Sequence, residues 1–219
     1  MKQESPFIPN NSQHGSTFVA VKKGKLDLIV LRYMARRLHL ILHRLDTPIP
    51  IISNRPFIYH LPERYGRTHR IAIYKYQELL FRSDFTFVGF ISHKQKNLQP
   101  HIIAEIEATD QKLVNELVGN PGILSYSSLE LRNGDWCNLV VMNNADAKTH
   151  LKNTKTHAYA AHQLAGHYYE WIRLHNGIMP EGLDHTEMHL QKTKHYSFTA
   201  TQQRPAIHEE SYGNYASWE

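Results

Sequence analysis

The residues best suited to chemistry in this 219-residue chain are its histidines, of which there are 16. A neutral imidazole accepts a proton near pH 7 and ligates metals, so spacing decides what these residues can do. His150, His157, His162 and His167 fall in one stretch of helical periodicity. His150 and His157 are two turns apart, about 10 Å along a helix, too far to share one ion. His162 sits about 140° around the helix from His157, and His167 faces away again. The cluster is dense, but its spacing argues against a zinc site. His185-x-x-x-His189, with Asp184 and Glu187 beside it, has ligand spacing if that segment is helical. His157 and Asn138 are the catalytic candidates. His157 borders a stripe of small residues that lets a helix sit close to a sheet, and Asn138 is a polar handle on an apolar strand. Trp136, Tyr126, His150, Tyr159 and Trp171 are candidates to line an apolar pocket around them. Cys137, alone on an apolar strand, reads as buried and inert.

Positioning these side chains falls to residues 85–177. Phe85–Ser92, FTFVGFIS, is aromatic and β-branched and predicts a strand. Pro100 suits a first helical turn. Ile103, Ile106, Asp110, Leu113 and Leu117 then recur at helical spacing until Gly119-Asn120-Pro121-Gly122 stops them. Ile123–Leu131 and Trp136–Met142 flank Arg132-Asn133-Gly134-Asp135. Asn-Gly between such runs predicts a hairpin turn with both residues at positive φ. Asn144 can cap one helix running through the His-rich stretch, with Ala147, Leu151, Thr154, Ala158, Ala161, Ala165 and Tyr168 as its stripe. Trp171–His175 closes the unit as a strand. This order is the ferredoxin-like β-α-β-β-α-β arrangement, an α+β fold with both helices on one face of an antiparallel sheet. The hairpin strands are apolar on their other face too, so the sheet needs a second cover. Either the first 80 residues or a second subunit can supply it.

The flanks read differently. Residues 1–16 are a polar tail. A helix from about Leu26 to Leu45, preceded by Gly24, carries Val30, Met34, Leu38, Ile41 and Leu45 on one face and Arg32, Arg36, His39 and His43 on another. Prolines 48, 50, 56 and 62 confine the next segment to short extended pieces, Ile49–Ser53 and Phe57–Leu61, and IAIYKYQELLF predicts a short helix over Ile71–Phe81. Residues 178–219 lack periodicity and read as an irregular arm with room for one strand, His195–Ala200. The organisation is therefore an N-terminal extension (1–84), an α+β domain (85–177) and a C-terminal arm (178–219).

With 41% hydrophobic and 21% charged residues, the chain has the composition of a folded protein. A lone cysteine excludes an intrachain disulfide and suits a reducing, cytoplasmic setting. No apolar run is long enough to span a membrane. The +5 charge is spread along the chain, and FTFVGFIS lacks the basic-Gly opening of an RNA-reading strand, so nucleic acid is not an expected partner. Nucleotide-binding, dinucleotide-binding, serine-hydrolase and zinc-ribbon motifs are absent from the sequence.

The element order of residues 85–177 and the run ADAKTHLKNTKTHAYAAHQL resemble the dimeric α+β barrel superfamily, and within it the antibiotic biosynthesis monooxygenase-like group. In that family a hairpin strand ends in an acidic or amide turn, a helix with an aromatic or His follows, and then a Ser/Thr and His step. His150 and Thr156-His157 hold those places here. The resemblance implies a homodimer whose two sheets close a barrel, with a pocket between sheet and helices for a small apolar or aromatic ligand. It implies either cofactor-free oxygenation of an activated phenol, with His157 as proton acceptor, or haem held by a helix His. The haem-degrading members pair a helix Trp with a later His; His150 and Ala160 stand at that spacing here, so the pair is absent. Non-catalytic binding of haem or another small ligand, or plain dimerisation, are the other expectations for such a fold.

Overall fold

The structure, a computed structural model, describes residues 12–44, 55–185, 187–199 and 204–213, and the side chains of its first helix from Gly24 onward. That helix, α1 (Ser12–Arg44), begins upstream of Gly24, so the glycine is a helical residue and not a boundary. The expected extended piece at Ile49–Ser53 and the residue Leu45 lie outside the described residues. Then follow β1 (Phe57–Pro62), β2 (Thr68–Ile73), α2 (Tyr76–Phe81), β3 (Phe85–Lys94), α3 (Pro100–Glu116), β4 (Ile123–Glu130) and β5 (Trp136–Met142). The chain continues with α4 (Asp146–Lys152), α5 (Lys155–Tyr159), α6 (Ala165–Tyr168), β6 (Tyr169–Met179), β7 (His189–Ser197) and β8 (Ala206–Ser211). The eight strands form one antiparallel sheet in the order β1-β2-β4-β5-β3-β6-β7-β8.

The middle four strands and the helices between them follow the predicted order of elements. The flanks depart from expectation. Thr68–Ile73 is a strand, and the helix begins only at Tyr76. Ile71 and Ile73 pack toward α1 while Ala72 packs on the opposite face, a period of two that sheet burial favours over helical spacing. The C-terminal arm likewise becomes β7 and β8, which lengthen the sheet beyond β6.

The single helix expected from Asn144 to Tyr168 is broken. Asn144 does cap its start, its side-chain oxygen accepting the backbone N–H groups of Asp146 and Ala147. Thr154 then leaves the helix (ψ 142°) and its hydroxyl caps α5 by accepting the His157 N–H. A π-helical turn, Ala160–Leu164, shifts the register again. The small-residue stripe is thereby divided: Ala147, Ala165 and Tyr168 are buried, whereas Ala161 is exposed and Leu164, outside the stripe, is buried instead. The β4–β5 hairpin forms where expected, with a different turn. Gly134 alone takes positive φ (79°), its N–H donating to Leu131 O, and the Leu131 N–H closes the loop on Asp135 O. This is the three-residue loop with a glycine bulge.

The second face of the sheet is covered from within the chain. Leu28, Leu31, Met34, Ala35, Leu38, Ile41 and Leu42 of α1 recur at 3–4 spacing and join Ile71, Phe85, Phe87, Leu129, Cys137, Leu139 and Val141 in one cluster. Gly89 in the central strand makes this close approach possible, since a Cβ there would lie 2.5 Å from Leu31 Cδ1. On the opposite face α3 and α4 close a smaller cluster around Val114, Leu117, Tyr126, Val140, Met142 and Ala147. Among the described residues no helix is long and apolar enough to cross a membrane.

Candidate active site

Pleating sends alternate residues of β6 to one face, so Trp171, Arg173 and His175 all point toward α1. Strand pairing sets His93 of β3 directly opposite Trp171, and Ile91 opposite Arg173. Between these strands, the β4–β5 turn and the Asp27–Val30 turn of α1 lies a cavity of about 370 Å³. Asp27, His93, Asn133, Asp135, Trp171 and Arg173 supply its polar and aromatic lining. Small-molecule sites commonly occupy about 300–1,000 Å³, which puts this one at the compact end.

Two carboxylates organise the site. Asp135, 3% exposed, is held by Lys94 N–H, which donates to Oδ1 at 3.1 Å, and by the Asn133 side-chain amide. Its Oδ2 lies 2.7 Å from His93 Nδ1. Because a carboxylate only accepts, Nδ1 carries the proton, and Nε2 of a neutral ring is left as the acceptor. The His93 ring stacks on Trp171 with centroids 5.7 Å apart and planes at 21°. Glu170 Oε2 is 3.8 Å from Nε2.

The second carboxylate is Asp27, brought down from α1 one turn before Leu31. Arg173 Nε and Nη2 donate to its two oxygens at 2.6 and 2.7 Å, and His175 Nε2 donates to Oδ2 at 2.8 Å. Burial pushes the Asp27 pKa up, but hydrogen bonds from His175 and Arg173 outweigh it and hold the carboxyl below its usual range. His175 is fully buried and its Nδ1 meets the Thr193 hydroxyl at 2.8 Å, which in turn accepts from Tyr212. Arg173 also lies over the Trp171 ring, 4.2 Å from its centroid. Burial, and then the negative charge of Asp27, drive the Cys137 thiol well above its usual pKa, consistent with the inert reading of that residue.

Of the residues singled out from sequence, Trp171 lines this cavity and the other six do not. Trp136, Asn138 and Tyr126 face the helices on the opposite side of the sheet, since their strand neighbours Cys137, Leu139 and Leu129 belong to the α1 cluster. The Tyr126 hydroxyl donates to Asp110 at 3.0 Å, and Asp110 also pairs with Arg70 at 2.7 Å. Trp136 is hydrogen-bonded to the Tyr168 hydroxyl. His157 is half-buried on α5, and burial followed by the charges of His162 and Lys152 lowers its pKa. His150 is exposed on α4, and Tyr159 is exposed with its hydroxyl on Glu105. The sequence pattern that could have pointed to the cavity is W-x-R-x-H in the last predicted strand, which sends three chemistry-bearing residues to one face.

A third buried group sits near the middle of α1. His69 is fully buried beside Glu63, 3.4 Å from its Oε1, and Glu63 also meets Arg37 and Tyr33. Burial pushes the His69 pKa from 6.5 down to about 4, against the pull of Glu63. Between those values the unfolded chain takes up a proton and the folded one does not. Stability is therefore expected to fall as pH drops from about 6.5 toward 4, by up to about 3 kcal/mol from this residue. Chemical denaturation across that range checks it: His69→Gln should flatten the slope, and an unchanged slope would remove His69 as the cause.

No family model matches the chain, and no curated protein does. A solved structure of a Shewanella oneidensis protein aligns over 45% of this chain and 94% of its own, at 11% identity and TM-score 0.35. SnoaB, a cofactor-independent oxygenase from Streptomyces nogalater, aligns over 44% of this chain and 90% of its own, at 18% identity and TM-score 0.32. A mutant of SnoaB aligns at 16% identity with the same TM-score. Likeness at this level assigns neither fold nor activity.

Proposed function

We propose that the protein is a small-molecule enzyme that binds a compact hydroxy-aromatic compound between α1 and strands β3 and β6, where His93 takes its proton. The observation that carries this reading is the Asp135–His93 pair, stacked on Trp171 and opening into the 370 Å³ cavity. Asp135 fixes the ring orientation and tautomer, the requirement for a general base. Trp171 offers a flat surface to an aromatic ring, and Arg173 places a cation beside the phenolate that forms. In an oxygenase of the kind the sequence resembles, that deprotonation makes the substrate reactive towards dioxygen.

The order β4-β5-β3-β6, with one helical segment after β3 and another after β5, supports a ferredoxin-like unit within the larger sheet. A homodimer remains part of the proposal, but α1 occupies the face on which two such sheets would close a barrel. Contacts between copies would then use the sheet edges or the outer surface of α1, where Leu26, Ile29 and Leu40 are exposed. Buried Cys137 suits a reducing compartment such as the cytoplasm.

The test has two steps. An absorption spectrum of the purified protein comes first, and a Soret band lost on His157→Ala would favour haem binding over this reading. Oxygen uptake with a panel of hydroxynaphthalenes follows. Uptake that depends on His93 supports the proposal, and uptake that depends on His157 instead contradicts it.

A further inference from the structure

Among the described residues, one group of three brings metal-ligand atoms together: His39, His43 and Asp184, all within 4.8 Å of one another. His39 and His43 are four residues apart on α1, so both rings project from the same helical face. Their centroids are 4.4 Å apart. Asp184 comes from the β6–β7 connection, and its Oδ1 lies 3.2 Å from His39 Nδ1 and 3.9 Å from His43 Nε2. Ligands of a tetrahedral zinc ion, each about 2.0–2.2 Å from the metal, stand about 3.3–3.6 Å from one another. The two carboxylate–imidazole separations bracket that value, and small rotations of the exposed His43 and Asp184 side chains would close the remainder.

The carboxylate is carried by a segment fixed in place. Leu183, next to Asp184, is 3% exposed and packed in the α1 cluster. Gly182 turns the chain at φ +71°, where a Cβ would lie 3.1 Å from the Arg82 carbonyl oxygen. Asp184 is thus delivered to α1 by a buried neighbour. The spacing that looked like a metal pair in the sequence, His185 and His189, is not helical: His185 lies in a bend and His189 begins β7.

We infer that His39, His43 and Asp184 form a site for a divalent transition ion, zinc above all, that fastens α1 to the β6–β7 connection. Two imidazoles and one carboxylate suit zinc better than magnesium or calcium, which take oxygen donors. The site lies on the surface, so water completes the coordination. The inference is independent of the proposed activity, because the cavity lining shares no residue with it.

The test is calorimetric titration of zinc chloride into the full chain after chelation and dialysis, with thermal melts in parallel. One equivalent should bind and raise the melting temperature, while magnesium should do neither. His43 is exposed, so His43→Ala is expected to fold normally. Losing an outer-shell partner already costs about 10–100-fold in metal affinity, so this variant should weaken zinc at least that much. Asp184→Asn should weaken it too, and His185→Ala should not. Absence of stoichiometric binding would overturn the inference, as would affinity unchanged in both His43→Ala and Asp184→Asn, which would place the zinc on other histidines.

Discussion

Asp27→Ala is expected to destabilise the protein by about 3–5 kcal/mol, because it removes one partner of a buried ion pair and strands the other. Asp27 is 6% exposed, and it accepts both Arg173 bonds and the His175 bond. Among the described residues Arg173 pairs with no other carboxylate, and α1 loses this polar link to β6. A domain is stable by only about 5–15 kcal/mol, so a loss of this size is a large fraction of the total. Urea unfolding measures it. The companion variant is Asp27→Leu with Arg173→Met. Replacing both charges by apolar groups leaves no stranded charge, only the neutral His175 N–H without its acceptor, and is expected to cost less than Asp27→Ala. Equal losses in the two variants would mean that the packing of α1, and not charge satisfaction, sets the cost.

His93→Ala is expected to lower turnover of a hydroxy-aromatic substrate by about 10²–10⁴-fold, the usual contribution of a positioned general base. Its fold should be intact, since the side chain is one-third exposed and packs on Trp171 at the cavity wall. Asp135→Asn is the sharper variant. An amide can donate to Nδ1 and turn the imidazole to the tautomer with its proton on Nε2, where it no longer accepts. Turnover should fall with little change in substrate binding. His157→Ala should leave the rate near wild type. Oxygen uptake under substrate saturation distinguishes these outcomes.

The middle of the fold was legible because its signals are local. Pro100 starts a helix, the Gly119–Gly122 run ends it, and Asn133-Gly134 makes a hairpin; each acts through its own backbone. The flanks were not legible because their structure comes from pairing. Ala206–Ser211 is mostly exposed and becomes a strand by hydrogen bonding to β7. The break at Thr154 reflects a choice between continuing a helix and capping a new one, which the periodicity of small residues does not express. The site was half visible. The alternation of Trp171, Arg173 and His175 is in the sequence, but Asp27 reaches Arg173 across 146 residues of chain and His175 across 148, and Asp135 reaches His93 across 42. α1 settling on Gly89 brings Asp27 in, and the pairing of β3 with β5 brings Asp135 to His93; both are tertiary events.

The two strand tryptophans offer the most direct test, because Trp136 and Trp171 lie on opposite faces of the sheet. Each indole N–H gives its own resonance in a nitrogen–proton NMR spectrum, assigned by Trp136→Phe and Trp171→Phe. Titration with 2-naphthol should move the Trp171 signal in proportion to binding and leave Trp136 nearly still. A Trp136 signal that moves while Trp171 stays fixed would place the ligand under the helices, beside His157, and contradict a site beneath α1.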